Sequence, residues 1–464
     1  MFLTRAFKWK PNSVLFFAVA VLYLSVLLFF YVSVQPKDIG PSFPVLLGDS
    51  SEYVGLALNI KEHGVFSLDS QAPFNPEYFR TPGYPLLIAM ILIFFNSYYA
   101  VVFVQILAVA CTSILLYKMG SSLMHQRAGY VAAFLYIFNA STLFYALTVM
   151  SDIFFTFFTV LSVYLFFFAK GKKVVLRALL AGSLIGYVVL IRPIGVFLPL
   201  PFLFFYYLLT RKERSAKALL LHLTVFVFGF FVVLFPWMLR NRAEAGVWGI
   251  SSLGSYNIFS FNIPLFLSQK NGDSVETNLF RLYSETDNLT ENQAKEFKHA
   301  RELNMIIKKY IFEDPLGFAL FHVSRVPQFL AGNSSKNMYV NILEIVYGRY
   351  NPFPEKTLLI DDLFHAKDLG KVWGRLSSQS FFPFEHLLWA LVFFFSLVSL
   401  CLKPRWRHAY LFFSLCAYFA LLTGPTVHVR YRMPAEPFLF LSAVLGYYGF
   451  SKSLRAKKVP RSMD

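Results

Sequence analysis

The sequence predicts an all-α polytopic membrane protein. Hydrophobic residues make up 56% of the 464 residues and aromatic residues 19%. Apolar runs that could each cross about 30 Å of hydrocarbon as a helix recur from end to end. Backbone N–H and C=O groups find no water in lipid, so helices are the expected spanning elements. Basic residues gather in short segments between these runs, as the loops of a membrane protein require.

The net charge of +17 indicates membrane topology and not nucleic-acid binding, because of where the basic residues lie. They concentrate in short segments that contain almost no acids, whereas the rest of the chain is nearly neutral. The segments are 5–10, 118–127, 170–177, 211–217, 403–407 and 452–461. Lys and Arg are enriched in cytoplasmic loops, so these segments are predicted to face the cytoplasm.

These markers predict ten spans within one membrane domain over residues 1–464, with both termini in the cytoplasm. The spans are 13–34, 98–117, 128–147, 153–169, 174–191, 194–210, 216–238, 383–402, 409–424 and 434–450. The first run exceeds a signal-peptide core and no small-residue cleavage site follows it, so it is expected to be retained. A bacterial inner membrane is the expected location.

Two outer loop regions separate the predicted spans, over 35–97 and 240–382. The first contains Pro85–Phe95, an apolar piece that is too short to cross comfortably and is expected at the membrane interface. The second is expected to be mainly helical. Its Thr290 and Gln293 form a capping box ahead of an amphipathic run to Phe312. Residues 315–330 fit a second interfacial helix.

The unusual polar side chains share one depth, at the outer ends of the predicted spans. They are Asp49, Glu52, Arg80, Asp152, Arg192, Arg240, Arg242, Arg430 and Arg432. None lies at mid-membrane, where a proton or ion pathway would place it. The outer face therefore combines acids that can deprotonate a hydroxyl with arginines that can neutralise a phosphate leaving group.

Asp49 is the candidate base, and it has two interpretations. Asp49 and Tyr53 are related as i and i+4, so they share a face if a short helix begins at Ser50. The alternative is that Asp49 only caps that helix. Asp152, in the next outer turn, also has two interpretations, as an acid of the site or as the N-cap of the fourth span. Two acids on adjacent outer loops favour a site more than either acid alone.

Arg80 is the candidate phosphate contact. It precedes Thr-Pro-Gly-Tyr-Pro, in which the prolines stiffen the chain and Gly83 lets the backbone approach closely. The segment Arg430–Arg432 places dense positive charge on the predicted outer side. It is a candidate part of the phosphate site, and the alternative is that these arginines only contact solvent or lipid headgroups. No spacing of His, Cys and acids suggests a metal site, so no metal or other cofactor is expected.

In order and spacing, these motifs resemble the GT-C superfamily of membrane glycosyltransferases. The similarity is greatest to the branch with the protein O-mannosyltransferases and the bacterial lipid A aminoarabinose transferase. The motifs are Gly48–Tyr53, Arg80–Pro85, Asp152, Arg192-Pro193, Pro236–Asn241 and Arg430–Pro434. They extend over most of residues 13–450. The turn at Arg80 differs from the Lys-Pro-Pro pattern of the aminoarabinose enzyme.

The resemblance implies a sugar donor linked through one phosphate to a polyprenol, which is undecaprenol in bacteria and dolichol in eukaryotes and archaea. It implies that Asp49 activates the acceptor hydroxyl, that Asp152 supports acceptor or sugar, and that Arg80 contacts the donor phosphate. The acceptor would be a lipid-linked glycan, a lipid or a protein. Glu52 is expected as a further catalytic acid. The remaining expected substrate contacts are Tyr53, Tyr84, Arg192, Arg240, Arg430, Tyr431 and Arg432.

Three other classes of function remain as alternatives. A polysaccharide polymerase or ligase would also face outward, but it would use a diphosphate-linked glycan. A transporter predicts polar residues at mid-membrane and an internal repeat, and the sequence shows neither. A non-catalytic scaffold does not require acids and arginines gathered at one depth.

Overall fold

The computed structural model describes residues 11–33, 49–287, 289–331, 383–401, 406–423 and 429–458. Within these ranges the chain consists of helices and turns and contains no β-strand, so the predicted all-α class is confirmed for them. Glycines in the left-handed conformation end several helices, at Gly64, Gly246 and Gly272.

The helices before the large outer region cover the predicted apolar runs, and α2 lies in the first outer loop. They are α1 (Pro11–Ser33), α2 (Ser50–His63), α3 (Gly83–Phe95), α4 (Tyr98–Leu123), α5 (Gln126–Ile137), α6 (Ala140–Ala146), α7 (Asp152–Val163), α8 (Val174–Ile191), α9 (Pro199–Thr210) and α10 (Ala216–Ala245). A π-helical turn, Tyr164–Phe168, extends α7, and a 3-10 turn, Pro193–Phe197, leads into α9.

The outer region and the C-terminal part contribute nine further helices in the described ranges. They are α11 (Leu253–Asn257), α12 (Ile263–Asn271), α13 (Val275–Ser284), α14 (Glu291–Ala294), α15 (Ala300–Glu313), α16 (Pro315–Ala331), α17 (Pro383–Leu400), α18 (Trp406–Thr423) and α19 (Glu436–Lys458). A 3-10 turn, Val429–Arg432, precedes α19.

Helices occupy the described part of every predicted span, but they do not establish the number ten. By length and composition, four of the described helices could cross a membrane: α4, α8, the segment Pro193–Thr210 and α10. A fifth is possible if α5 and α6 count as one span, although they are bent by 58°. The bend falls within the span expected over 128–147. Its cause is Asn139, whose side chain caps α6 by accepting a hydrogen bond from the Ser141 amide, 3.2 Å away.

Glycines allow α8 and α10 to pack backbone against backbone. A Cβ at Gly182 would lie 1.9 Å from the carbonyl oxygen of Phe226, and one at Gly229 would lie 2.5 Å from that of Leu179. Gly182 and Gly186 form the small-xxx-small pattern through which membrane helices approach closely. This contact fixes the end of α8, where Arg192 follows.

The outer helices α11 to α16 bury a hydrophobic cluster of their own, around Phe259, Leu303 and Phe321. The predicted capping box of Thr290 and Gln293 is confirmed. The amphipathic run after it is not one helix, however, because α14 stops after four residues and a 3-10 turn precedes α15. The interruption has a local cause, since the Lys295 carbonyl accepts a hydrogen bond from the Ser252 hydroxyl. Residues 315–331 are helical as predicted; their place at the membrane interface stays a prediction.

We expect Gly182→Val to destabilise the bundle by about 1–3 kcal/mol or more, because overpacking forces the backbones of α8 and α10 apart. The measurement is the free energy of unfolding in detergent. The matched control is Gly254→Ala, since a Cβ there meets no atom within 4 Å. Equal stability of the two variants would contradict the close approach.

Candidate active site

Acids and arginines from five separate segments alternate in one ion network. Its order is Glu52, Arg80, Asp49, Arg430, Asp152 and Arg192. Arg80 Nη2 lies 2.9 Å from Asp49 Oδ1, and Arg430 Nη1 lies 2.8 Å from Asp49 Oδ2. Arg430 Nε lies 2.8 Å from Asp152 Oδ2. The outer members, Glu52 and Arg192, pair with Arg80 and Asp152. The structure thus brings together both candidate acids and the candidate phosphate contact.

Asp49 occupies the N-cap position of α2, but its side chain makes no capping hydrogen bond. Both carboxylate oxygens turn instead to arginines. The Asp49 carbonyl accepts from the Tyr53 amide at 3.2 Å, and the Tyr53 ring lies 5.3 Å from the Arg80 guanidinium. The predicted shared face of Asp49 and Tyr53 therefore exists, and it faces Arg80.

Asp152 is the first residue of α7, and Ser151 occupies the N-cap position before it. The capping interpretation of Asp152 is therefore wrong. Its side chain is fully buried, and each oxygen accepts from one arginine, Arg192 or Arg430. Buried carboxylates are tolerated where cations pair with them, so Asp152 holds two arginines in place.

The turn before Asp152 is held against α2 and α4 by two hydrogen bonds that sequence reasoning missed. Ser50 Oγ donates to the Val149 carbonyl at 2.8 Å, which brings the start of α2 beside this turn. Gln105, buried within α4, donates to the Thr148 carbonyl at 2.7 Å. The signal for Gln105 was present, since it is a lone amide in an apolar run. Its oxygen also accepts from Tyr84, 2.8 Å away.

Arg80 is oriented by the turn that precedes it. Glu77 accepts hydrogen bonds from the amides of Arg80, at 3.0 Å, and Phe79, at 2.5 Å. The Arg80 guanidinium lies between two rings, 5.3 Å from Tyr53 and 5.2 Å from Phe79. Ser251 of the outer region donates to the Phe79 carbonyl at 2.6 Å. The outer region therefore helps to aim Arg80.

Three predicted substrate contacts are not members of the ion network. Arg240 donates to the Glu77 carbonyl at 2.9 Å and lies over the rings of Tyr78 and Trp237, so it supports the turn. Tyr84 is fully buried. Arg432 is also fully buried, in an ion pair with Glu436, and not at an outer surface as expected. Tyr431 lies nearer the network, with its ring 5.5 Å from the Arg192 guanidinium.

The two arginines control the charge of Asp49. Burial by itself raises the pKa of this carboxyl, but the charges and hydrogen bonds of Arg430 and Arg80 outweigh it and lower the pKa to about 2. Burial works the other way on the arginines, yet the neighbouring acids and tyrosines raise the pKa of both Arg80 and Arg430. Asp49 and the two arginines that bind it, Arg80 and Arg430, are therefore held in their charged forms.

No group of three His, Cys, Asp or Glu residues suited to a metal occurs in the described ranges. The carboxylate oxygens of Asp49 and Asp152 all bind guanidinium groups. The expectation that the protein works without a metal stays a prediction.

Comparison with known proteins identifies similar sequences and folds. Residues 80–239 match the family model of dolichyl-phosphate-mannose-protein mannosyltransferase, a segment that includes Arg80, Asp152 and Arg192. The oligosaccharyltransferase of Archaeoglobus fulgidus in its apo form superposes with a TM-score of 0.51 and 14% identity, over 99% of this chain and 53% of that one. The resemblance to the GT-C superfamily is confirmed.

Two further structures are similar. Archaeal oligosaccharyltransferase AglB from the same organism, in complex with an inhibitory peptide and a dolichol-phosphate, gives a TM-score of 0.51 and 15% identity, over 97% of this chain and 52% of that one. ArnT from Cupriavidus metallidurans, bound to undecaprenyl phosphate, gives a TM-score of 0.39 and 12% identity, over 96% of this chain and 82% of that one. The chain thus spans about half the length of the oligosaccharyltransferases. Among curated proteins, none matches the sequence.

The network predicts that its two aspartates differ in their contribution to stability. Asp152→Asn should cost about 3–5 kcal/mol, because it removes a fully buried partner of two arginines. Asp49→Asn should cost less, since Arg80 keeps Glu52 and Arg430 keeps Asp152. Free energies of unfolding in detergent measure both. A larger loss for Asp49→Asn than for Asp152→Asn would contradict the proposed order of the network.

Proposed function

We propose that the protein is an inverting glycosyltransferase that moves a sugar from a polyprenyl-monophosphate carrier to an acceptor hydroxyl. The observation that supports this most is the setting of Asp49. Its carboxylate lies between two guanidinium groups, and the Asp49 side chain is still 35% exposed, whereas the side chains of Arg80 and Arg430 are each 12% exposed. A base that a substrate can reach thus adjoins cations that suit a phosphate.

The proposed reaction takes place on the outer face of the membrane. Asp152 begins α7, which leads to the basic segment at Lys170–Lys173, and α8 returns from there to Arg192. The ion network and this basic segment therefore lie at opposite ends of the helix pair. Because such segments face the cytoplasm, the network faces the opposite side, which is the periplasm in a bacterium.

Binding of the donor phosphate requires an exchange of ion-pair partners, because the network already balances its charges. A phosphate that takes Arg80 removes one of the two cations from Asp49. The pKa of Asp49 then rises from about 2, which improves it as a base. Donor binding would thus precede and promote activation of the acceptor.

In the transfer step, the acceptor oxygen attacks the anomeric carbon while Asp49 takes the hydroxyl proton. The bond between that carbon and the phosphate oxygen breaks, and its electron pair stays on the phosphate. Arg80 and Arg430 neutralise the charge that develops there. Attack from the face opposite the leaving phosphate inverts the anomeric configuration. Asp152 has no direct part in proton transfer and keeps Arg430 and Arg192 in position.

The test is transfer of radiolabelled sugar from polyprenyl-monophosphate donors by the purified protein in lipid. We expect Asp49→Asn to lower turnover by about 10²–10⁴-fold, the usual contribution of a general base, while polyprenyl phosphate still binds. The control is Asp273→Asn, because Asp273 belongs to an exposed ion pair with Arg281. Undiminished transfer by Asp49→Asn would exclude it as the base. Turnover with diphosphate-linked glycans alone would place the protein with the polymerases and ligases.

The pH at which kcat/KM falls on the acid side, the acid limb of the pH profile, depends on the cations around Asp49. In the wild type the limb due to Asp49 lies near pH 2, where its carboxyl titrates. Arg80→Gln removes one cation and keeps the burial, which by itself raises the pKa, so the limb moves to higher pH. The dependence of kcat/KM on pH measures this for the free enzyme. Arg281→Gln is the control, and an unmoved limb in Arg80→Gln would refute the coupling.

A further inference from the structure

A second buried ion pair lies two residues after Arg430. Arg432 Nε lies 3.1 Å from Glu436 Oε1, and both side chains are completely buried. Glu436 Oε2 accepts a hydrogen bond from Asn139 at 2.5 Å, and the Arg432 guanidinium lies 3.7 Å from the Trp389 ring. We call Arg432, Glu436, Asn139 and Trp389 the anchor cluster. None of its members belongs to the ion network.

The anchor cluster joins four parts of the chain. Asn139 lies at the bend between α5 and α6, Trp389 lies in α17 and Glu436 begins α19. Arg432 also donates to carbonyls in the last turn of α16, at 2.7 Å to Leu330 and 3.5 Å to Phe329. Cations are favoured at a helix C-terminus, where the helix dipole is negative. The end of α16 is therefore tied to the turn that carries Arg430.

Global stability does not account for a buried ion pair of this kind. Removing two charges from water costs several kcal/mol per ion, and apolar residues of similar volume often stabilise a protein as well or better. A defined register is the best-attested use of such groups. Here the feature that requires a defined position is adjacent, because Arg430 must reach Asp49 and Asp152 at once.

The backbone between the two arginines is short and hydrogen-bonded. Both belong to the 3-10 turn Val429–Arg432. The Met433 amide donates to the Arg430 carbonyl at 3.2 Å, and the Ala435 amide donates to the Arg432 carbonyl at 2.8 Å. A shift of Arg432 is therefore carried directly to Arg430.

We propose that Arg432, paired with Glu436, is a positioning residue for Arg430 and so sets the affinity of the site for the donor phosphate. Its effect on sugar transfer rests on the proposed function, whereas its effect on the position of Arg430 does not. Arg432 touches neither substrate nor reacting atoms, and it acts through the turn.

The test is a double-mutant cycle on the full-length protein in detergent. One arm is the neutral pair Arg432→Met with Glu436→Gln, which removes both buried charges together and keeps an acceptor for Asn139. The other arm is Arg430→Gln. The dissociation constant of undecaprenyl monophosphate is measured for the wild type, each arm and the combination. We expect the neutral pair to weaken binding about tenfold, the loss of about 1.4 kcal/mol, and to have no further effect once Arg430 is replaced.

The control for general loosening of the same helices is Ser396→Ala. Ser396 is buried in α17 and donates to the Leu439 carbonyl of α19 at 3.1 Å. We expect this variant to bind as the wild type does. If the neutral pair binds like the wild type, or if its loss adds fully to that of Arg430→Gln, the positioning role is refuted.

The outcomes separate this inference from the proposed function. A wild type that binds the lipid phosphate and transfers no sugar would refute the function, and the binding cycle would still decide the positioning role. If the wild type binds no lipid phosphate, free energies of unfolding for the same four proteins decide it instead. The effects of Arg430→Gln and the neutral pair should then be less than additive, because ion pairs of Arg430 form only when it is positioned. Full additivity would refute the positioning role.

Discussion

The guanidinium of Arg430 holds the candidate site together, because it bridges carboxylates from two distant parts of the chain. Its Nη1 and Nε atoms lie 2.8 Å from Asp49 and Asp152. The starts of α2 and α7 and the turn before α19 therefore meet at one cation. Without it, two carboxylates would face each other in a site largely shielded from water, where like charges repel more strongly than in solvent. The position of the proposed base depends on this contact.

Alternation of charge explains how the candidate site can be stable when empty, and it suits the proposed exchange with a phosphate. Each inner member of the ion network has two neighbours of opposite charge, so no carboxylate is left in a shielded site without a cation. Charges held in this way are costly to desolvate, and such costs are commonly met at functional sites. In the proposed reaction a phosphate enters by exchange, and the exchange frees the carboxylate that takes the proton. Substrate binding and base activation are then one electrostatic event.

The sequence predicted the all-α class and most of the described helices, because long apolar runs follow from the exclusion of charge from hydrocarbon; the common depth of the polar residues stays a prediction. It could not predict which acid pairs with which arginine. Asp49 and Asp152 each looked as much like a helix cap as like a site acid, and only tertiary contacts separate these roles. Arg240 looked like a phosphate contact, yet it binds the Glu77 carbonyl. The bend at Asn139 depends on a single side-chain cap inside an apolar run, and hydrophobicity does not reveal such a cap.

Arg430 and Arg432 show why spacing alone misleads at this site. Residues three apart eclipse each other in a 3-10 turn, so residues two apart point about a third of a turn away from each other. One arginine therefore faces the ion network while the other enters the bundle, although the sequence presents them as one basic patch. The divergence places the end of α16, Arg432, Arg430 and Asp49 in series. A displacement of α16 would then reach Asp49, the proposed base, through a short hydrogen-bonded turn.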